Sequence, residues 1–240
     1  MKIRCKSGYY ILGGYLSVGY DATSLEPYTK YIFRRAKSIC FHSGEIEDFM
    51  PLQRFKKLES INVEIHTDIQ MKNLVTALLG CPYVNEIRLN LGTSFVDIEP
   101  LAKLKSLRIL WIHCDSHEVG RPPLDITPLK KFQALEKLDI VSWGVTDCHP
   151  LETLTNLKVL EIPCTLIEDI KPLANLKNLR YLRLPLLDGL DDVKEISEED
   201  FRELQRALPN CIIDSETFTT KEEKKAIYNE LEKLYDETGL

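Results

Sequence analysis

The chain is expected to fold as a right-handed α/β solenoid of about eight coils, on two observations. One phrase (Asp, apolar, any, Pro, Leu, two residues, apolar, two residues, Leu) recurs five times, from Asp48, Asp97, Asp125, Asp147 and Asp169, and the last three copies keep a period of 22. A period of that size marks one supersecondary unit stacked on itself, because a single unit cannot bury its own apolar face. Each copy is also followed by a short run with apolar residues two apart, as at Leu160 and Ile162, which is the mark of a strand. At 240 residues and 44% hydrophobic positions, there is enough apolar material for a continuous core.

Residues 1–35 read as the N-terminal cap, since a terminal coil would otherwise expose one side of the core. Segments 9–12 and 15–18 flank Gly13-Gly14 as a hairpin, and 24–35 is expected as a helix packing through Leu25, Tyr28, Ile32 and Phe33. Residues 36–214 form the solenoid. Its strand cores are Ile39 and Phe41, Ile61 and Val63, Ile87 and Leu89, Leu110 and Ile112, Leu138 and Ile140, Leu160 and Ile162, Leu182 and Leu184, then Cys211 and Ile213. The coils open at Ala36, Leu58, Val84, Leu107, Leu135, Leu157, Leu179 and Leu208, with spacings of 22, 26, 23, 28, 22, 22 and 29, so four coils carry insertions. The largest internal one, 116–123, holds Gly120, Pro122 and Pro123 and reads as a surface loop.

In each copy of the phrase a proline (Pro51, Pro100, Pro128, Pro150, Pro172) stands where a helix's first turn has no use for an N–H. The aspartate ahead of it can accept from that turn's unpaired donors. Ser197 with Asp200 reads as the cap of a helix whose apolar stripe is Phe201, Leu204 and Leu208. Residues 215–240 are expected as a C-terminal capping helix with Ile227, Leu231, Leu234 and Tyr235 on one side; the same stripe would also serve a partner-binding helix.

This pattern resembles the leucine-rich repeat family, in the 22-residue class of bacterial internalins and of a phosphatase-regulatory protein of eukaryotes. The resemblance runs from about Ala36 to Asp214 and is most specific from Val96 to Leu184. It implies a horseshoe with a parallel sheet on the concave side, and protein recognition more often than catalysis. The family's usual Asn at the ninth position, which bonds neighbouring backbones, is replaced here by Gly44, Asp115, Trp143 and Thr165, so the turn after each strand is expected to be irregular.

Because side chains alternate across a strand, the residues flanking the core positions are expected to face the concave side. The middle column reads Cys40, Asn62, Arg88, Trp111, Asp139, Glu161, Arg183. One neighbouring column carries Glu86, Ile109, Lys137, Val159 and Tyr181, and the other carries Asn90, His113, Val141 and Pro163. A partner is expected to contact Arg88, Ile109, Trp111, His113, Lys137, Asp139, Glu161, Tyr181 and Arg183. Trp111 is the candidate anchor, aromatics being frequent among interface hot spots; packing beneath the 116–123 insertion is its other reading. Asp139 and Glu161 should be neighbours on adjacent strands, where like charges cost stability unless Lys137, Arg183 or a basic group on a partner compensates. The acidic run Asp188, Asp191, Asp192, Glu195, Glu198, Glu199, Asp200 reads as a solvated loop or as a steering field for a basic protein.

The formal charge of −6 and the lack of a visible basic stripe argue against nucleic acid. No stretch is apolar for the roughly 18 residues a membrane span needs, and the first twenty residues lack the apolar run of a secretory signal. Seven cysteines without zinc-type spacing read as reduced thiols, which favours a cytoplasmic setting. His113, Cys114, Asp115, His117 and Glu118 form the one cluster of metal-capable side chains. Cys40 and His42 are the one drawable nucleophilic pair, on one side of a strand with no third group to orient them. The expectation is therefore a non-catalytic, cofactor-free and metal-free monomer that binds a protein partner, with or without a basic patch, on the concave sheet. An immunity-like inhibitor that acts by steric occupation is one concrete form. The alternatives are an enzyme or metal protein using the 113–118 cluster, and a secreted host-directed effector.

Overall fold

Alternating aliphatics, with a proline-led turn in the five phrase-bearing coils, produce parallel strands joined by short helical crossovers. The computed structural model describes residues 2–5, 8–11, 13–30, 33–91, 96–114, 124–185 and 195–238. The chain divides into two compact units, Met1–Asp115 and Ser116–Leu240.

The first unit contains β1 (Lys2–Cys5), β2 (Gly8–Ile11), β3 (Tyr15–Val18), β4 (Ser38–Phe41), β5 (Ser60–Ile65), β6 (Glu86–Leu91) and β7 (Ile109–Cys114). β1 pairs β2, and β2 pairs β3, antiparallel. The turn into β3 passes through Gly13 and Gly14 at φ +138° and +107°, a region that side chains with a Cβ rarely enter. From β3 onward pairing is parallel, with Leu16 opposite Ile39, Ile39 opposite Ile61, Ile61 opposite Ile87, and Ile87 opposite Leu110. The second strand of the expected hairpin is therefore itself a member of the parallel stack, one more than the eight strands read from the sequence.

The second unit contains β8 (Lys137–Val141), β9 (Val159–Cys164), β10 (Tyr181–Arg183) and β11 (Ile212–Asp214), all parallel in chain order. Two registers differ from expectation. After Asp139 and Glu161 pair, Val141 meets Cys164 rather than Pro163; proline has no N–H to offer the ladder, and the strand bulges around it. At the last strand Leu182 meets Ile213, two residues away from the expected Cys211. Cys211 N donates to Leu208 O as Leu179 N does to Leu176 O, so Cys211 stands where the alignment had placed Leu208 as the coil's opening residue.

The crossovers of the phrase-bearing coils are 3-10 turns at Met50–Arg54, Glu99–Lys103, Thr127–Lys131, His149–Leu151 and Lys171–Asn175, each with its proline second. All five aspartates act as expected: a carboxylate oxygen accepts from the backbone N–H two residues on, at 2.8–3.0 Å. Such a bond closes an Asx turn that launches the crossover. The inward leucines Leu52, Leu101, Leu129, Leu151 and Leu173 are fully buried beneath these turns.

Two crossovers are true helices. α1 (Asp68–Leu78) fills the insertion after β5; Thr67 and Gln70 close its N-terminus as a reciprocal capping box. The Gln70 amide also donates to Gly44 O at 2.6 Å and Ile46 O at 3.2 Å in the preceding coil, supplying the inter-coil bonding for which the family uses asparagine. α2 (Glu198–Ala207) begins at Ser197, whose hydroxyl accepts from Asp200 N, and buries Phe201 and Leu204. The single helix expected over 24–35 is absent: Glu26–Tyr28 and Phe33–Arg35 are separate 3-10 turns. The Thr29 hydroxyl donates to Glu26 O, and the Arg34 guanidinium takes Thr29 O, so side chains satisfy carbonyls that a continuing helix would use. Leu25, Tyr28 and Phe33 are buried as expected; Ile32 lies outside the described residues.

α3 (Lys221–Thr238) completes the second unit. No described helix is long and apolar enough to cross a membrane.

Candidate protein-binding faces

On the first unit the outward side chains of β6 and β7 stand in register: Glu86 beside Ile109, Arg88 beside Trp111, Asn90 beside His113. The Arg88 guanidinium carbon lies 4.7 Å from the centre of the Trp111 ring, and Arg88 Nε donates to Glu86 Oε1 at 2.8 Å. Glu86 thereby aims the cation so that its face rests on the indole, an attraction worth about 0.5–1 kcal/mol at an exposed site. Arg88, Asn90 and His113 are exposed, and Ile109 and Trp111 are half-buried. Beside them a hollow of about 270 Å³ is lined by Tyr15, Ser38, Cys40, Ser60, Ile61, Asn62, Glu86 and Arg88. Four of the predicted contact residues thus share one accessible face with a π-stacked cation at its centre.

On the second unit the outward positions are not open. Lys137, Asp139, Val159 and Tyr181 are only 4%, 8%, 0% and 3% exposed. α3 covers them, packing Leu231 and Leu234 against Val159 and Tyr181, with Ile212, Ile227 and Tyr235 around the contact. The C-terminal helix is therefore seated on the strand face, and the expectation that Lys137, Asp139, Glu161 and Tyr181 lie open to a partner is corrected. The cause is the helix's one apolar stripe, which meets the apolar Val159 and Tyr181 that the coil alignment had assigned to a concave surface.

A polar pin accompanies this packing. Lys137 Nζ donates to the Tyr235 hydroxyl at 3.1 Å, that hydroxyl donates to Glu161 Oε1 at 3.4 Å, and Lys137 Nζ lies 3.7 Å from the same carboxylate. The ammonium also sits 4.3 Å from the Tyr235 ring centre. Burial, then the Glu161 carboxylate, pushes the Tyr235 hydroxyl up to about 12. Asp139 and Glu161 are neighbours as expected, and Lys137 supplies the internal compensation. Tyr181 donates to Asp214 Oδ2 at 3.3 Å, and its hydroxyl is held well above the ordinary tyrosine range by burial and by Asp214. Arg183 stands half-buried in register with Glu161 and Asp214. Asp214 falls outside the predicted set because of the two-residue slip at the last strand.

Sequence reading also missed a basic cleft. A hollow of about 640 Å³ in the first unit is lined by Arg34, Arg35, Met50, Gln53, Arg54, Lys56 and Lys57. Arg54 is paired with Glu26 at 2.8 Å. These cations come from two segments about twenty residues apart, Arg34-Arg35 and Arg54 to Lys57, which only the fold brings together.

The chemical alternatives gather little support from geometry. Cys40 Sγ lies 3.7 Å from His42 Nε2, but among the described residues no carboxylate holds the imidazole, whose ring lies against Tyr20. Cys81 and Cys148 are buried, as expected of small hydrophobes, with thiols pushed up to about 11 and about 12 by burial. Cys114 and Cys164 are half-buried. Among the described residues no three His, Cys, Asp or Glu gather in a metal-binding group; Asp115, His117 and Glu118, like the loop 116–123 and Asp188, Asp191 and Asp192, lie outside them. Asp200, from the acidic run, is paired with Lys171 at 3.2 Å.

The arrangement matches solved structures. Internalin C2 of Listeria monocytogenes superposes with a TM-score of 0.53 at 24% identity, over 84% of this chain and 80% of that one. The fold is that of an internalin-like leucine-rich-repeat protein. Internalin F of the same organism gives 0.44 at 21% identity over 80% of this chain and 63% of that one. The repeat protein LIC12759 of Leptospira interrogans gives 0.45 at 15% over 77% and 56%. No protein-family model and no curated protein sequence matches this repeat protein.

Proposed function

We propose that this protein is a non-catalytic recognition module that binds another protein on the outward strand face of its first unit. The observation that carries the reading is the stack of exposed Arg88 on half-buried Trp111, on that face among Ile109, Asn90 and His113, while the corresponding face of the second unit is already covered by α3. An aromatic fixed beneath a cation offers a partner a rigid apolar plane with a charged edge, the residue pair most enriched among energetic hot spots. Leucine-rich-repeat folds usually serve protein recognition, which supports a protein partner in general. The finer form is steric: a domain that occupies a partner's functional surface, as an immunity-like inhibitor does. A cytoplasmic setting belongs to the same reading and draws support from Cys40, Cys81, Cys114, Cys148, Cys164 and Cys211, which are unbridged.

The test begins with capture from the native host by the full chain and by Trp111→Ala, with the retained protein identified, purified and titrated back. Trp111→Ala is expected to weaken binding by about 2 kcal/mol, roughly 30-fold, with the thermal midpoint unchanged. Equal affinity for both proteins would place the contact elsewhere.

A further inference from the structure

The basic cleft of the first unit departs from the charge plan of the coils. Lys37 and Glu59, each one residue after its coil's opening residue, pair at 2.7 Å, and Glu136 and Lys158 do the same at 2.7 Å in the second unit. Neighbouring coils thus complement each other where these charges meet. The two positions ahead of the opening residue break that rule. Arg35 and Lys57 lie three residues before Ser38 and Ser60, which pair directly, and Arg34 and Lys56 lie one residue further back. Like charges therefore stand on adjacent coils, at a rung spacing of about 4.8 Å, and repel. In later coils the place of Arg35 and Lys57 is held by Ser106, Asn156 and Asn178, whose side chains donate to the preceding coil. Lys57 makes no such bond among the described residues.

The protein itself balances this cluster only in part. Arg54, at the end of the Met50–Arg54 turn, pairs with Glu26 at 2.8 Å, and Arg34 Nε donates to Thr29 O. Arg35, Lys56 and Lys57 have no carboxylate partner among the described residues, and none lines the hollow of about 640 Å³ that they border. All five cations are exposed, so a small anion would find no enclosed donors to replace its water. No aromatic ring lines the hollow to stack a nucleic-acid base. Met50, 48% exposed, supplies an apolar wall. Spread positive charge beside one adaptable apolar contact suits a chain of carboxylates that carries an aliphatic side chain.

We propose that this cleft receives an acidic peptide segment of a partner protein, with carboxylates on Arg34, Arg35, Lys56 and Lys57 and an aliphatic side chain on Met50. The cleft shares no residue with the strand face around Trp111, so either site can fail alone.

The full chain is titrated by fluorescence anisotropy with a labelled oligoglutamate of about eight residues bearing a central leucine, and with its oligoglutamine counterpart. Only the acidic peptide is expected to bind, weakening about 10-fold as salt rises from roughly 50 to 200 mM. Lys56→Gln with Lys57→Asn installs the residue types that Gln133 and Asn156 provide at the same places in later coils. This variant should keep or raise the thermal midpoint, because a repulsion is removed and a ladder donor is gained, and should bind the acidic peptide at least about 10-fold more weakly. Met50→Ala should weaken it several-fold, which bulk charge attraction would not produce. No binding by the unmodified chain, or affinity unchanged in the Lys56 and Lys57 variant, overturns the proposal. Should that variant not fold, Arg35→Ser decides by the same loss. Tighter binding of tripolyphosphate or of an oligothymidylate would assign the cleft to phosphates, and a salt-sensitive dimer on light scattering would assign it to a second copy; either result overturns the acidic peptide.

Discussion

The two units share a core plan and differ on the opposite side of the same strands. Inward, both show fully buried aliphatics at the paired positions, Ile61, Ile87 and Leu110 in one, Leu138, Leu160 and Leu182 in the other. Outward, the first exposes Arg88, Asn90 and His113, and the second buries Lys137, Asp139 and Tyr181 beneath α3. Charge divides the same way. The first unit carries 15 Lys and Arg against 12 Asp and Glu, the second 16 against 25. One repeat can thus build a surface for recognition or a surface for self-packing, and the inward pattern that defines the repeat does not distinguish them. The outward columns differ in apolar content: the second unit carries Lys137, Val159 and Tyr181 where the first carries Ser38, Ser60, Glu86 and Ile109.

The largest effect that sharpens this contrast falls on one column. Tyr181 and Ile109 occupy equivalent outward places, but Tyr181 is enclosed by Leu231 and Leu234. Tyr181→Ala is expected to lower unfolding stability by about 3 kcal/mol, as large-to-small changes at enclosed aromatics do, whereas Ile109→Ala costs about 1 kcal/mol. Urea denaturation of both variants checks it, and similar losses would erase the distinction between faces. For binding the order reverses: Trp111→Ala carries the loss of about 2 kcal/mol in affinity, and Tyr181→Ala leaves affinity for a partner on the first unit unchanged.

How legible this was follows from the range of each signal. The coils were readable because period and alternation are local: each Asp-x-x-Pro-Leu phrase specifies its own turn through a bond two residues long. The bearing of the outward columns on β6 and β7 was readable for the same reason. The fate of β8–β10 was not, because the stripe Ile227, Leu231, Leu234, Tyr235 marks α3 as amphipathic without marking where it docks. The basic cleft joins Arg34 and Arg35 to Arg54, Lys56 and Lys57 only after folding. Gln70 doing the family asparagine's work from a helix 26 residues beyond Gly44 was equally out of local range, although the Thr67 and Gln70 spacing already signalled a capped helix. The side chains of Ser106, Asn156 and Asn178, each just before a coil's opening leucine, donate to the preceding coil at 2.7–2.8 Å. That period-22 placement was present in the sequence and is the signal that could have revealed an inter-coil ladder.

A smaller effect tests the pin. Tyr235→Phe keeps the ring beside Lys137 and removes the hydroxyl that links Lys137 to Glu161. The expected loss is about 1 kcal/mol. It should appear as roughly fivefold faster exchange of α3 amides with no change in β3–β7 of the first unit, because the pin belongs to one helix and not to the stack. A uniform acceleration across both units would mean that the covering helix is an integral part of a single cooperative fold.

The smallest effect concerns one crossover that differs from its four relatives. Asp147 accepts from His149 N at 2.9 Å, as every phrase aspartate does with its own partner, and also from His149 Nδ1 at 2.6 Å. Its carboxyl is held below the ordinary range chiefly by the backbone bond and then by the imidazole, while the Asp147 bond holds His149 above the ordinary histidine range. A lowered acid contributes stability that is lost as pH falls through its folded value; a raised histidine contributes stability that is lost as pH rises through its folded value. Both contributions are therefore present together between about pH 4 and 6.5, the ordinary values of the two groups. Asp147→Asn retains an acceptor for the backbone N–H and abolishes the ion pair. Its stability deficit should be greatest in that window, narrow on either side, and vanish in high salt, since the pair is solvent-exposed and screened. The same substitution at Asp169, followed by Lys171 rather than histidine, should show no decline in its deficit above pH 6.5, which isolates the imidazole as the titrating group.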